Sequence, residues 1–228
     1  MRVRHNRPLL LTNAESLGQF REPLTIPTAG TVYLHEIVLP GETSGGKHLC
    51  VCLSHSEYAT EYGLAVLASL RKVQSSWWRP LVDRDDFAPN TACEALDQAR
   101  AVDTSQMVSV PITALTSIAG RVSARVVADT MNVLPALFQF HGPWEVRGAV
   151  HQIRGWPEDT EAVLVLNDDA LDNPTVRHFL ALPYEQGDWR KELVLINAAD
   201  LGEEVRVLSD AEQVLLSADL RSIFPLTG

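Results

Sequence analysis

The fold of this chain is decided by a stretch that occurs twice, first as Cys50-Val-Cys-Leu-Ser-His-Ser-Glu-Tyr-Ala59 and then as Ala162-Val-Leu-Val-Leu-Asn-Asp-Asp-Ala-Leu171. In both places a short apolar run gives way to polar residues, which is the pattern of a buried β-strand and the turn after it. Further along, Gly63–Leu70 matches Arg177–Tyr184, and Ser76–Asp83 matches Gly187–Val194. The matches keep the same order along the chain, which indicates an internal repeat.

The spacing between the two copies is nearly constant. It is 113 residues from Ser54 to Asn167, 111 from Trp78 to Trp189 and 115 from Gln98 to Gln213. This predicts an N-terminal extension over residues 1–29, a first unit over 30–141 and a related second unit over 142–228 that lacks a counterpart of 116–138. The alternative is that two β-rich stretches of similar composition align by chance.

Runs rich in β-branched and aliphatic residues predict the strands of both units. The predicted strands are Thr31–Leu39, His48–Ser54, Leu64–Leu70, Trp77–Val82, Ala92–Val102, Trp144–Ile153, Ala162–Leu166, Val176–Leu182, Glu192–Ile196 and Val205–Leu216. One helix is predicted over 121–138, because apolar residues recur there at intervals of three and four, with Thr116 or Ser117 as its N-cap. Pro135 is expected to end or kink this helix. The chain is therefore expected to be mainly β.

Size and composition are those of an ordinary globular protein. The 228 residues are 46% hydrophobic and 21% charged. No window reaches the roughly 18 apolar residues of a membrane span, so we expect no membrane contact. Three cysteines without a disulfide framework favour a reducing, cytoplasmic location.

The charge of the chain is distributed unevenly. The formal net charge is −10. Residues 1–141 hold 12 Lys and Arg against 13 Asp and Glu, whereas residues 142–228 hold 7 against 16. A polyanion such as RNA is repelled by the second half, so any nucleic-acid contacts are expected in the first.

Three segments of the first unit carry a family resemblance. They are Gly30-Thr-Val-Tyr33, the Gly-rich loop and strand Gly45-Gly-Lys-His-Leu-Cys-Val-Cys-Leu-Ser54, and Leu96-Asp-Gln-Ala-Arg-Ala-Val-Asp103. Together with the helix over 121–138 they resemble the MazF/PemK toxin endoribonucleases, small β-barrel domains that share a fold with the CcdB gyrase poisons. The resemblance covers residues 30–138. It implies two tandem SH3-like, CcdB/MazF-type barrel units that form a pseudo-dimer within one chain.

The resemblance also implies an activity. Family members cut single-stranded RNA without a metal or other cofactor, by attack of the 2′-hydroxyl on the adjacent phosphate. This reaction needs a base, an acid and a cation. The candidate catalytic residues are His48, Ser69 and Asp97, and the candidate substrate-binding residues are Lys47, Arg71, Arg100 and Trp77.

Each of these assignments has a structural alternative. The family's Arg-Pro pair is replaced here by His48-Leu49, so the loop either uses the imidazole or has lost the catalytic group. A polar residue such as Ser69 is ordinary at a strand end, Asp97 and Gln98 can bond a neighbouring loop, and one residue of the Trp77–Trp78 pair is expected in the core. In the second unit the corresponding positions hold carboxylates such as Glu185, which would repel a phosphate.

Two functions therefore stay open. The first is an endoribonuclease whose activity is confined to the first unit. The second is a catalytically inactive binding module of the same fold that takes an antitoxin-like protein or peptide. Gyrase poisoning by analogy with CcdB is a third, weaker possibility. The expected assembly is either a monomer with an internal pseudo-two-fold axis or a homodimer.

Overall fold

A computed structural model describes seven parts of the chain. These are residues 25–37, 45–73, 80–87, 99–138, 148–154, 162–166 and 178–225. Within these residues the chain is mainly β, with three α-helices, which confirms the predicted fold class. No helix in the described ranges is long and apolar enough to cross a membrane.

The first sheet has six antiparallel strands in the order β4-β5-β3-β2-β1-β6. Their bounds are β1 Thr31–Ile37, β2 Gly46–Cys52, β3 Leu64–Lys72, β4 Leu81–Val82, β5 Arg100–Pro111 and β6 Ile118–Arg121. The central strand β3 is buried from Ala65 to Leu70, and its sequence is a nearly continuous apolar run. Such a run suits a strand that is covered on both faces.

The second sheet has the order β10-β9-β8-β7-β12, and β11 also pairs with β9. Its strands are β7 Ala149–Ile153, β8 Ala162–Val165, β9 His178–Glu185, β10 Asp188–Trp189, β11 Val194–Asn197 and β12 Leu201–Val207. In both sheets the first, second and third strands lie side by side. The last strand of each half then returns to pair with the first, β6 with β1 and β12 with β7.

Each returning strand leads into a helix in the same way. The amide of Val122 donates to the carbonyl of Gly30 (2.9 Å), and the amide of Leu208 donates to the carbonyl of Gly148 (3.0 Å). A serine N-cap follows in both halves, Ser123 before the helix α2 (Ala124–Leu137) and Ser209 before the helix α3 (Asp210–Ile223). Because serine oxygens accept from free amides of the first turn, both helices begin where the strand ends.

Three sequence predictions about helices are wrong. The strand predicted over Val205–Leu216 ends at Val207, and most of its second half is helix α3. The second half therefore does contain a returning strand and a terminal helix, although a counterpart of 116–138 was predicted to be missing. A further helix, α1 (Ser56–Tyr62), occupies what was predicted to be a turn after the second strand.

The predicted helix over 121–138 is present but begins later. Its N-cap is Ser123, whose hydroxyl accepts from the amide of Val126, so neither Thr116 nor Ser117 caps it. Pro135 lies inside the last turn and the helix continues to Leu137.

Two predicted strands of the first half differ from the observed ones. The described part of Trp77–Val82 is a strand only at Leu81–Val82, and residues 74–79 lie outside the described ranges. Residues 92–98 of the strand predicted over Ala92–Val102 lie outside the described ranges, and its described part is strand from Arg100 and extends to Pro111. The extension follows from its long antiparallel pairing with β3.

The two halves share one apolar core. A single cluster of buried side chains includes residues from both sheets and all three helices. At its centre, β5 and the segment before β11 exchange hydrogen bonds, because the amide of Ser109 donates to the carbonyl of Leu193 (2.8 Å) and the amide of Leu193 donates to the Ser109 hydroxyl oxygen (2.8 Å). The rings of Phe138 and Phe224, which follow α2 and α3, pack with their centroids 5.7 Å apart.

An ion pair closes the start of α3. Arg206 on β12 donates from Nη1 and Nη2 to the two carboxylate oxygens of Glu212 (2.9 and 2.7 Å), and the Ser209 amide and hydroxyl donate to the same carboxylate. The bonds from Arg206, followed by those from Ser209, lower the pKa of Glu212 to about 2. Because the carboxylate is stabilised in its charged form, it supports the folded state at neutral pH.

We expect Glu212→Gln to lower the free energy of unfolding at pH 7 by about 1 kcal/mol, a value reduced for the partial exposure of the pair. A carboxylate with a lowered pKa contributes stability above its unfolded value near 4.5 and loses it as the pH falls towards about 2. Urea unfolding between pH 7 and pH 2.5 should therefore show a shallower acid loss for the variant than for the wild type. The exposed Glu203→Gln on β12 is the control, and equal pH dependence of Glu212→Gln and the wild type would contradict the assignment.

Candidate functional site

A cleft on one face of the first sheet brings together side chains from four adjacent strands. It is lined by Ile37 of β1, His48 of β2, Ser69 and Arg71 of β3, and Gln106 of β5. Three of these, His48, Ser69 and Arg71, are among the residues that the sequence singled out. The cleft therefore holds an imidazole, a hydroxyl and a guanidinium within one small space.

Strand register explains why these residues meet. Cys50 of β2 pairs with Ser69 of β3 at the end of the β2–β3 ladder. Two residues beyond it on each strand are His48 and Arg71, and both line the cleft. Side chains two residues apart on a strand share a face, which places Ser69 and Arg71 together. A shift of one residue would turn all of them to the other face.

Ser69 has an unsatisfied hydroxyl. The residue is 3% exposed, and its Oγ has no hydrogen-bond partner among the residues that the structure describes. A buried hydroxyl without a partner costs about 1–3 kcal/mol. A polar group that reached this hydroxyl would remove that cost.

His48 lies against a glycine. A methyl group added at Gly46 would come within 3.1 Å of the His48 Nε2, so the absent side chain leaves the space that the imidazole uses. Its cross-strand neighbour is His35 of β1, whose pKa is lowered by burial, against an opposing effect of Glu36. His35 thus favours the neutral form and adds little positive charge beside His48.

Cys50 lies next to the cleft residues His48 and Ser69, but it is not a nucleophile. Burial raises the pKa of its thiol to about 12, and its Sγ donates to the carbonyl of His48 (3.5 Å). A thiol that stays protonated at neutral pH does not attack or bind metal. In the described parts of the chain, no three His, Cys, Asp or Glu side chains gather as a candidate metal site.

Arg71 is held by two side chains of β5, through an ion pair with Asp103 and a hydrogen bond to Gln106. Its Nε lies 3.1 Å from Oδ2 of Asp103, and its Nη2 donates to Oε1 of Gln106. The Asp103 side chain is fully buried, and its other oxygen accepts from the Ser105 hydroxyl at 2.6 Å. The guanidinium of Arg71 is therefore held in place by a buried carboxylate and not by a charge on the surface.

Neither Asp103 nor Gln106 was predicted from the sequence to be a site residue. Asp103 is the last residue of the segment Leu96–Asp103 that carried the family resemblance, so its signal was present although no role was given to it. Gln106 had no signal. It reaches the cleft because the β3–β5 register shifts between Ala68, which pairs with Met107, and Ser69, which pairs with Asp103.

The other predicted site residues are not brought into the cleft. Lys47 is exposed opposite Glu36, and the alternation of the strand directs it to the face opposite His48. Arg100 donates from Nη1 to the carbonyl of Leu70 (3.3 Å) instead of lining the cleft. Asp97 and Trp77 lie outside the described residues.

The second sheet has no comparable cation at the end of its third strand. Here β9 ends in Pro183, Tyr184 and Glu185, and Glu185 forms an ion pair with Arg190 at 2.6 Å. The Tyr184 hydroxyl accepts from Arg206. A carboxylate stands where the first half has the Arg71 end of β3, which is unfavourable for an anionic ligand.

Solved structures that are similar to this chain include two endoribonuclease-related proteins. An endoribonuclease from a mycobacterial species is 13% identical in sequence, and the match covers 54% of this chain and 100% of that one with a TM-score of 0.39. A chain of the MazE–MazF crystal structure from Deinococcus radiodurans is 17% identical, and the match covers 51% of this chain and 98% of that one with a TM-score of 0.39. No family model and no curated protein sequence matches the chain.

The contact between Gly46 and His48 gives a direct test of the cleft geometry. We expect Gly46→Ala to displace the imidazole by a few tenths of an ångström, because the new methyl would meet Nε2 at 3.1 Å. The ¹H–¹³C signals of the His48 ring should shift, while the free energy of unfolding changes by less than about 1 kcal/mol. Lys47→Ala, on the opposite face, should leave these signals in place. Unchanged His48 signals in Gly46→Ala would place the ring elsewhere.

Proposed function

We propose that the chain is a MazF/PemK-like, metal-independent endoribonuclease that acts on single-stranded RNA, with its activity confined to the first half. The observation that carries this proposal is the cleft in which His48, Ser69 and Arg71 meet, with the Ser69 hydroxyl buried and unpartnered. The sequence resemblance over residues 30–138 supports the same conclusion independently of that geometry.

The residues of the cleft match what the reaction requires. The RNA 2′-hydroxyl loses its proton and forms a bond to the adjacent phosphorus, while the bond to the 5′-oxygen breaks and that oxygen gains a proton. Arg71 binds the non-bridging oxygens as their charge develops, and the Ser69 hydroxyl donates a hydrogen bond to the same group. His48 accepts the proton of the 2′-hydroxyl, and the imidazolium so formed gives a proton to the departing 5′-oxygen.

Confinement to the first half rests on charge. Residues 142–228 carry 16 acidic against 7 basic side chains, and β9 ends in Glu185 where β3 continues to Arg71. A phosphodiester approaching the second sheet meets net repulsion, whereas the first half is almost neutral. Lys47 and Arg100 stay proposed substrate contacts outside the cleft. Asp97 as a catalytic residue and Trp77 as a substrate contact stay predictions, since both lie outside the described residues.

We further propose that the two halves, residues 30–141 and 142–228, are a fused pair related by a pseudo-two-fold axis. The first three strands and the returning strand of each half lie in the same order, and the bonds to Gly30 and Gly148 match. Both observations support this. The offset from Ser123 to Ser209 is 86 residues (209 − 123), and the offset from Phe138 to Phe224 is also 86 (224 − 138). In a two-fold interface a residue near the axis meets its own counterpart, as Phe138 meets Phe224.

The second candidate is an inactive binding module of the same fold, with an antitoxin-like peptide or protein as partner. What favours it is the loss of the family's Arg-Pro pair, which here reads His48-Leu49. The only cation in the described cleft, Arg71, is already paired with Asp103. The two candidates differ in whether RNA is cut.

We expect the wild-type protein to cut mixed-sequence single-stranded RNA in the presence of a chelator and to leave 2′,3′-cyclic phosphate ends. His48→Ala should lower the cleavage rate by about 10²–10⁴-fold, because proton transfer would be lost. Fragment ends are read by mass spectrometry. The matched control is His55→Ala, which removes an imidazole from the loop before α1 and should retain full activity.

Intact RNA with the wild type would reject the nuclease. If the protein then still formed a complex with a partner peptide whose binding is lost on changing cleft residues, the binding-module candidate would stand instead. Equal cleavage by His48→Ala and wild type would reject the assignment of His48 while leaving the activity in place.

The pseudo-two-fold proposal predicts coupling between the two helix ends. Phe138→Ala and Phe224→Ala should each lower the free energy of unfolding by about 3 kcal/mol, since both rings are fully buried. The double variant should lose less than the sum by about 0.5–1.5 kcal/mol, because the rings contact each other. Urea unfolding of the four proteins measures this, and strict additivity would show that the two ends do not stabilise each other.

A further inference from the structure

The guanidinium of Arg71 is fixed along one edge. Asp103 forms an ion pair at its Nε (3.1 Å) and Gln106 accepts from its Nη2, whereas its Nη1 makes no hydrogen bond or ion pair with a residue that the structure describes. Because Asp103 is fully buried and its second oxygen accepts from Ser105, the carboxylate has little freedom to move. The guanidinium therefore lies against a rigid support.

An irregularity in β5 builds this support. If the pairing of Ala68 with Met107 continued regularly, Ser69 would face Gln106; instead Ser69 pairs with Asp103. The three residues Thr104, Ser105 and Gln106 are thus extra on the β5 side. Bulges of this kind re-aim side chains beside functional sites. Here the bulge supplies the Ser105 hydroxyl, which holds Asp103, and the Gln106 amide oxygen.

A fixed guanidinium is useful only if its orientation matters. Arginine presents planar donors in a set geometry, unlike the point charge of lysine. Holding the Nε and Nη2 positions leaves Nη1 for a ligand, in the cleft that also contains the unpartnered Ser69 hydroxyl. A group oriented in advance does not have to be ordered during the reaction, which lowers the barrier.

We propose that Asp103 is a positioning residue, which with Gln106 orients Arg71 so that its Nη1 meets a non-bridging oxygen of the RNA phosphodiester. This inference rests on the proposed nuclease function for its substrate. Asp103 itself does not touch the substrate. It acts through Arg71, and the β5 bulge is the device that places it there.

The orientation of Arg71 is tested first, without any activity measurement. In ¹H–¹⁵N spectra of the full chain, the Arg71 Nε–H signal should be sharp and slow to exchange in the wild type and should broaden or shift in Asp103→Asn. Gln106→Met should give the same effect to a smaller degree, and it serves if Asp103→Asn does not fold. Asp129→Asn, which removes the carboxylate paired with Arg125 on α2, is the matched control. An unchanged Arg71 signal in both cleft variants would overturn the proposal.

The effect on the reaction is tested by the split between binding and turnover. Removing a negative charge near a phosphate site should by itself leave binding of an all-deoxy, non-cleavable oligonucleotide equal or tighter. Loss of orientation should nevertheless lower kcat for RNA by about 10- to 100-fold in Asp103→Asn. In an Arg71→Gln background the same change should add nothing, because Asp103 acts through Arg71.

Additive losses in that cycle would overturn the positioning role, as would weaker oligonucleotide binding with unchanged kcat. If the wild type does not cut RNA, the proposed function fails. The Arg71 Nε–H signal then still decides whether Asp103 and Gln106 orient the guanidinium, so the two failures are distinguishable.

Discussion

The reciprocal hydrogen bonds between Ser109 and Leu193 are the constraint on which the rest of this structure depends. They join the two sheets through backbone atoms, and the Ser109 hydroxyl both accepts from the Leu193 amide and lies 3.2 Å from the hydroxyl of the buried Tyr58. Burial raises the pKa of Tyr58 to about 12, so this phenol stays neutral in the shared core. Since Ser109 is on β5, the position of β5 is set by the second half of the protein.

The same strand also carries the polar support of the candidate site. From Ser109 towards its N-terminal end, β5 passes through Met107 in regular pairing with β3 and then through the bulge Thr104–Gln106 to Asp103. The two ends of β5 have different roles. At one end apolar side chains face the shared core, and at the other end a buried carboxylate faces Arg71. The bulge lies between these two ends. A regular ladder would allow only one of these roles, since its side chains alternate without interruption.

Much of the fold could be predicted from sequence because the strands are short apolar runs. The Leu53 amide donates to the Val66 carbonyl and the Leu166 amide to the Leu180 carbonyl, at offsets of 113 (166 − 53) and 114 (180 − 66) residues, which are close to the predicted repeat offset. The duplication itself stays a prediction. The prediction was wrong over residues 205–216, where the two-residue period of a strand competes with the 3.6-residue period of a helix. There the strand ends at Val207, and the Ser209–Glu212 capping box starts a helix. Gln213 therefore lies in α3, and its match with Gln98 does not join two strands.

The candidate site was predictable only in the part that regular strands create. His48, Ser69 and Arg71 stand near strand ends, and simple alternation is enough to bring them together across β2 and β3. Asp103 could be noticed in the sequence because it ends the segment Leu96–Asp103, but nothing in the sequence indicated Gln106. Gln106 lies three residues beyond Asp103, and alternation alone would place the two on opposite faces. Only the register shift brings both side chains to one guanidinium, Asp103 as an ion-pair partner and Gln106 as a hydrogen-bond acceptor. A register shift depends on the tertiary pairing of β5 rather than on its own residues.

A comparison of β3 and β9, the third strands of the two halves, shows that the candidate site uses only a few residues of its sheet. In β3 the residue paired with Cys50 is Ser69, and in β9 the residue paired with Val163 is Pro183. Both strands are buried through their centres, so the apolar residues that build each sheet are kept while the polar residues differ. Sheet stability depends on burial and pairing, whereas an anion site depends on a few donors. The two sheets therefore share the order of their first three strands and their returning strand while differing in the polar residues at the end of the third strand, and the second half holds β5 in place through Leu193.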